Sequence, residues 1–182
     1  MEQNQKKKIV LELLDTFDLA SKVALDLRKK GLKKKIKEDN TPVTNGDIEV
    51  NNILTKKILN LTPDLPIISE ETADNKKKND LNNFWLIDPI DGTYDYINNR
   101  DEFTINAALI LNKKPAIGII NAPGKNRMFY SYGNKNSFER LNKKEIELFN
   151  VEKKNKNELI AVSYSNELKP EILEIHKKLN VK

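Results

Sequence analysis

Three acid-bearing strings carry the residue types from which chemistry could be built. The densest is Trp85-Leu86-Ile87-Asp88-Pro89-Ile90-Asp91-Gly92-Thr93. An apolar strand delivers Asp88 at its C-terminal end, and Pro89 and Gly92 force a turn that returns Asp91 to its side. Two converging carboxylates repel each other unless a cation stands between them. Hard oxygen ligands of this kind suit Mg2+, which keeps part of its water shell and binds substrate phosphate in place of a complete protein cage. The turn also frees the Ile90 carbonyl as a ligand, and the Gly92 and Thr93 amides open a helix start, a natural phosphate seat. The same residue types also make an ordinary Asp-Pro-x-Asp-Gly turn with no ligand. The alternating acids and distal Glu of an EF-hand are missing.

The other two strings add acids where packing does not call for them. Ser69-Glu70-Glu71 directly follows the apolar run Pro66-Ile67-Ile68. Thr41-Pro42-Val43-Thr44-Asn45-Gly46-Asp47 sets an acid at a helix start. Taken singly, Glu70 and Glu71 read as solvated loop acids and Asp47 as a helix cap worth about 1 kcal/mol. Three such strings in one chain point to a common site.

The elements that position them follow from periodicity. Val10, Leu13, Phe17, Ala20, Val23, Ala24 and Leu27 predict one long amphipathic helix over residues 6–30, stopped by Gly31. Residues 32–45 have no period and read as a mobile loop. Thr44 then caps a second helix carrying Ile48, Ile53, Leu54, Ile58 and Leu61. Strands are predicted at 66–69, 84–87 ending at Asp88, 104–111, 116–120 and 128–132, with a Lys-rich loop over 72–83. A further strand at 159–162 and a helix at 170–179 begin a second unit. Helices followed by antiparallel strands indicate an α+β fold.

Composition narrows the setting. The 182 residues are 38% hydrophobic and 32% charged, with net charge +5 and no cysteine. That excludes a disulfide framework, a thiolate nucleophile and a cysteine-based zinc site. A reducing cytoplasm is the expected location. No apolar run approaches the roughly 20 residues of a membrane helix. The basic clusters at Lys6, Lys7 and Lys8 and at residues 28–37 read as solvated faces, open to a weak peripheral contact with an anionic membrane. Without interleaved aromatics they do not read as a nucleic-acid surface. His176 reads as a surface histidine and has no nearby triad partners.

In their order along the chain, Thr41-Pro42-Val43-Thr44 with Asp47, Ser69-Glu70-Glu71, residues 85–93 and Glu102-Phe103-Thr104-Ile105-Asn106 resemble the signature of the inositol monophosphatase superfamily. The form of residues 102–110, followed by Ile117-Gly118-Ile119-Ile120-Asn121-Ala122-Pro123, is most similar to its 3'(2'),5'-bisphosphate nucleotidase branch. The resemblance implies a layered α-β-α-β-α sandwich with an incomplete C-terminal lobe, divided into residues 1–156 and 157–182. It implies a Mg2+-dependent phosphomonoesterase acting on a small phosphorylated substrate, adenosine 3',5'-bisphosphate first and an inositol phosphate second. Glu70, Asp88 and the Ile90 carbonyl would hold the cation that activates water; Asp88 would bridge to a second cation bound by Asp91. Thr93 with Asp47 would orient or deprotonate the water, and the Gly92 and Thr93 amides would hold phosphate. Sensitivity to lithium belongs to the same resemblance.

Two departures qualify it. Where the branch reads roughly Ser-Arg-Ser-His, this chain has Ser163-Tyr164-Ser165-Asn166. Ser163 and Ser165 remain as substrate-binding candidates, while Tyr164 and Asn166 supply no cation for a second phosphate. Nothing after Ser165 resembles the Trp-Asp-x-Ala motif that completes the second cation site. The chain therefore reads as a truncated, split or degenerate member. A non-catalytic binding or assembly half, awaiting a C-terminal partner or a second copy, is the reading from another class.

Overall fold

The computed structural model describes residues 1–37, 40–72, 81–133, 136–148 and 168–181. They fall into two units, Met1–Phe149 and Asn150–Lys182. The boundary expected at residue 156 lies outside the described residues.

The first unit opens with α1 (Gln3–Lys30), whose buried Ile9, Val10, Leu13, Leu14, Phe17, Ala20 and Ala24 recur every three or four residues and so form one stripe. Arg28, Lys29 and Lys30 complement its carbonyl end, and Gly31 at φ 96° terminates it. Strands β1 (Lys34–Ile36) and β2 (Pro42–Thr44) then pair antiparallel, Lys34 opposite Thr44. This corrects the mobile loop expected for residues 32–45: two three-residue strands are too short to show a period. Helix α2 (Asn45–Leu61) starts from a reciprocal cap. The Thr44 hydroxyl accepts from the Gly46 and Asp47 amides, and Asp47 Oδ2 accepts from the Thr44 amide at 2.8 Å.

Seven strands form one sheet in the order β3-β4-β5-β6-β7-β8-β9. They are β3 (Ile67–Ser69), β4 (Phe84–Asp91), β5 (Thr104–Leu111), β6 (Lys114–Ala122), β7 (Arg127–Ser131), β8 (Ser137–Leu141) and β9 (Lys144–Glu147). Only the β3–β4 pair is parallel; the rest is an antiparallel meander. The last two strands were not expected from the sequence. Both α1 and α2 pack on one face, α1 over β6 and α2 over β4. Phe17, Leu54, Trp85, Ile87, Leu109 and Ile117 fill the layer between, each 1% exposed or less.

Polar ties fix the helix layer to the sheet. Trp85 Nε1 donates to Thr62 Oγ1 at 3.0 Å, and the amide of buried Asn121 donates to the Phe17 carbonyl at 3.1 Å. Tyr96, in the short helix α3 (Thr93–Ile97), donates its hydroxyl to the Ala24 carbonyl at 2.6 Å. Gly46 is required beneath it, because a Cβ there would collide with the Tyr96 ring.

In the second unit, α4 (Pro170–Leu179) occupies the helix expected from its apolar spacing. The expected strand at 159–162 lies outside the described residues. No described helix is long and apolar enough to cross a membrane.

Candidate active site

A β-bulge brings the acids of β4 together. Side chains alternate across a strand, so Asp88 and Asp91, three residues apart, should face opposite sides. On β5, however, their partners Asn106 and Thr104 are only two residues apart. Strand β4 carries one extra residue here, and the alternation resets. Trp85, Ile87, Pro89 and Ile90 face the core, while Leu86, Asp88 and Asp91 escape it. The strand runs on to Asp91 instead of ending at Asp88. The acids therefore converge through an irregular strand and not through a separate turn.

Gly92 follows at φ 87°, in the left-handed region. A Cβ there would stand 2.8 Å from the Glu102 carbonyl oxygen and 3.3 Å from Phe103 Cα. Glycine thus lets the backbone turn sharply against the segment entering β5. The turn starts α3 at Thr93, whose hydroxyl lies 3.0 Å from the Ile90 carbonyl and 3.4 Å from Asp47 Oδ1. One hydroxyl proton faces two acceptors, so Thr93 joins the end of β4 to the start of α2.

Asp47 itself is 1% exposed. Burial raises its pKa against the hydrogen bonds from Thr44, whose hydroxyl stands 2.6 Å from Asp47 Oδ2. On the neighbouring strand β3, buried Ser69 donates to Asn51 Oδ1 of α2 at 2.6 Å. Its hydroxyl accepts from the Glu71 amide at 3.3 Å, which sets the 3-10 turn carrying Glu70 and Glu71.

Asp88 is the electrostatic focus. Its pKa is pushed up to about 7, first by burial, then by Glu70 and Asp91, and further by a hydrogen-bonding contact with Glu70 and by Asp47. Asp88 Oδ1 is buried without a hydrogen-bond partner, as is Asn106 Oδ1 opposite it. The Asn106 amide group donates to Asp91 Oδ2 at 3.3 Å. A buried, unpartnered carboxylate oxygen among like charges calls for a cation. Hard oxygen donors of this set fit a divalent ion such as Mg2+. The acids do not form a ready cage, however: among the described residues no three acid or imidazole groups stand together as one.

One positive group already reaches them. Lys37 Nζ lies 2.9 Å from Glu70 Oε1 and 2.8 Å from Glu71 Oε1. Burial opposes its charge, but the bonds to Glu71 and Glu70 outweigh that and raise its pKa.

The structure thus gathers Asp47, Glu70, Asp88, Ile90, Asp91, Gly92 and Thr93 around the C-terminal end of β4. Ser163 and Ser165 lie outside the described residues. Sequence reasoning missed Lys37, which sits in a basic run with nothing to distinguish it. It also gave no role to Asn106, although that residue stands in the quoted string after Glu102.

Comparisons with known proteins bear on the family and the fold. The profile of the inositol monophosphatase family matches residues 7–181. A 3'(2'),5'-bisphosphate nucleotidase CysQ of Aggregatibacter actinomycetemcomitans is 36% identical over 124 residues, covering 65% of this chain and 46% of that protein. The chain thus spans less than half the length of this and similar curated relatives. The structure of CysQ from Bacteroides thetaiotaomicron superposes with TM-score 0.66 at 22% identity, over 97% of this chain and 71% of that one. An inositol monophosphatase/NADP phosphatase complexed with Mg2+ and phosphate gives TM-score 0.63 at 19% identity, over 75% and 51%. These two share the fold, an α+β sandwich of which the described residues supply a helix layer and the sheet.

Proposed function

The chain belongs to the inositol monophosphatase family, and from that premise we propose that the acid end of β4 is the active site of a Mg2+-dependent phosphomonoesterase whose substrate is adenosine 3',5'-bisphosphate. The observation that carries the site is the unpartnered, buried Asp88 Oδ1 among Glu70, Asp91 and Asp47. The similarity to bisphosphate nucleotidases at 36% identity supports the substrate. A cysteine-free chain suits a cytoplasmic enzyme.

In this reading Glu70, Asp88 and the Ile90 carbonyl would hold one cation, and Asp88 with Asp91 a second. Bound there, such ions would lower the pKa of water and neutralise charge on the leaving oxygen. The remaining work falls to the chain. Asp47 is fixed by Thr44 and accepts from the Thr93 hydroxyl, so a water donating to Thr93 Oγ1 could lose its proton to Thr93 while the Thr93 proton passes to Asp47. The Thr93 proton has the Ile90 carbonyl and Asp47 Oδ1 as its acceptors among the described residues, and Asp47 would remain if that carbonyl held a cation. The Gly92 and Thr93 amides would seat the phosphate.

The solved inositol monophosphatase relatives and the missing cations at Tyr164 and Asn166 support an inositol phosphate as the second reading. The deciding experiment compares kcat/KM for adenosine 3',5'-bisphosphate and inositol 1-phosphate in Mg2+ and in EDTA. A preference for the nucleotide, abolished by EDTA, supports the proposal; a preference for the inositol ester replaces the substrate.

A further inference from the structure

Lys37 stands one residue beyond β1, and its backbone is held at both groups. Its amide donates to the Thr41 carbonyl at 2.8 Å, and its own carbonyl accepts from Asn40 at 3.0 Å. The hairpin that carries it is slight: all three residues of β1 are exposed and the strands pair over three positions. A fixed backbone on a small hairpin leaves the four-carbon side chain as the moving part.

Its two partners differ. The Glu71 side chain is 8% exposed, that of Glu70 48%. A carboxylate buried like Glu71 is costly without a counter-charge, so its bond to Lys37 is structural. Glu70 is half in solvent and faces Asp88, so it can change partners at small cost. An ammonium 2.9 Å from Glu70 Oε1 competes with a divalent ion for the charge of the same carboxylate and repels that ion across a few ångströms.

We propose that Lys37 is a resident counter-ion of the cation site, which bridges Glu70 and Glu71 in the metal-free protein and gives up Glu70, while keeping Glu71, as a divalent cation binds. This rests on the reading of Glu70 and Asp88 as cation ligands. Lys37 then sets a threshold: it holds the acids together at low Mg2+ and weakens the first binding step. Once released, the ammonium stays beside the site through Glu71, where it adds positive charge next to an incoming phosphate.

The test is calorimetric titration of the full chain with MgCl2, together with melting in EDTA. Lys37→Met should bind Mg2+ about fivefold to tenfold tighter than wild type, the scale of removing one partly screened unit charge near the site. Lys37→Arg should stay near wild type. In EDTA the Met variant should melt lower, and adding Glu71→Gln should restore its melting temperature; this double variant also serves if the single one folds poorly. Unchanged or weaker Mg2+ binding by the charge-deleted variants, with wild type binding normally, overturns the role of Lys37 and leaves the cation site standing. No heat of Mg2+ binding by wild type or by any variant overturns both.

Discussion

Asp88 and Asp91 share one side of β4 although they are three residues apart, because the strand holds one more residue between them than β5 does between Asn106 and Thr104. An unbroken strand with Ile87 inward would turn Asp91 into the core beside Ile87 and Pro89. The site therefore depends on a local defect in the sheet, and its acids are held under mutual repulsion.

That repulsion should be measurable in the metal-free protein. The pKa of Asp88 is about 7 in the folded chain against an ordinary 3.8. Between those values the folded chain keeps a proton that the unfolded chain releases. Ionising Asp88 therefore destabilises the fold progressively above about pH 4 and fully above about pH 7. In EDTA, Asp88→Asn should melt higher than wild type at pH 8, and the gap should close as the pH falls toward 4. A variant that melts lower at every pH contradicts the assignment.

The glycine that follows the bulge should tolerate nothing else. Gly92→Ala meets both a positive φ and the Glu102 carbonyl at 2.8 Å. A loss of roughly 2–3 kcal/mol in urea unfolding is expected, left-handed strain and close contact together. A stability within 0.5 kcal/mol of wild type, the scale of an ordinary surface substitution, would mean that the turn opens more readily than its packing implies.

Thr93 is separable from cation binding. Thr93→Val removes the hydroxyl between Ile90 and Asp47 and keeps the shape. A fall in kcat of about 10²–10⁴ is expected, the range for losing a positioned proton acceptor, with Mg2+ affinity retained and Thr93→Ser close to wild type. Equal losses in the Ser and Val variants would point to packing of the Thr93 methyl instead.

Thr44 couples stability to the site. Thr44→Ala deletes the cap of α2 and a hydrogen bond to Asp47. Thermal unfolding should show a loss of about 1–2 kcal/mol. Turnover should fall as well, since Asp47 loses one of the groups that fix it.

How far the sequence alone led varies by element. The stripe on α1, the cap at Thr44 and the strands through Ile87 and Leu109 are all visible as periodicity. The β8–β9 hairpin does not stand out in the sequence, although its turn residues Asn142 and Lys143 repeat the Asn112-Lys113 turn between β5 and β6, with positive φ at all four. Its strands are too polar to show an apolar alternation. For the site, the acids were legible because buried strands deliver them. The bulge was not, since it appears only when β4 is set against β5. Lys37 was hidden because one lysine in a basic run looks like its neighbours until a hairpin turns it toward Glu70.

The central claim is that Asp88 anchors Mg2+-dependent phosphate-ester hydrolysis. The most direct measurement is phosphate release from adenosine 3',5'-bisphosphate by wild type and Asp88→Asn, each in Mg2+ and in EDTA. Wild type should turn over in Mg2+ alone, and Asp88→Asn should fall by at least about 100-fold, the scale of losing a transition-state electrostatic stabiliser. Equal rates in Mg2+ and EDTA, or an Asp88→Asn variant as fast as wild type, would contradict it.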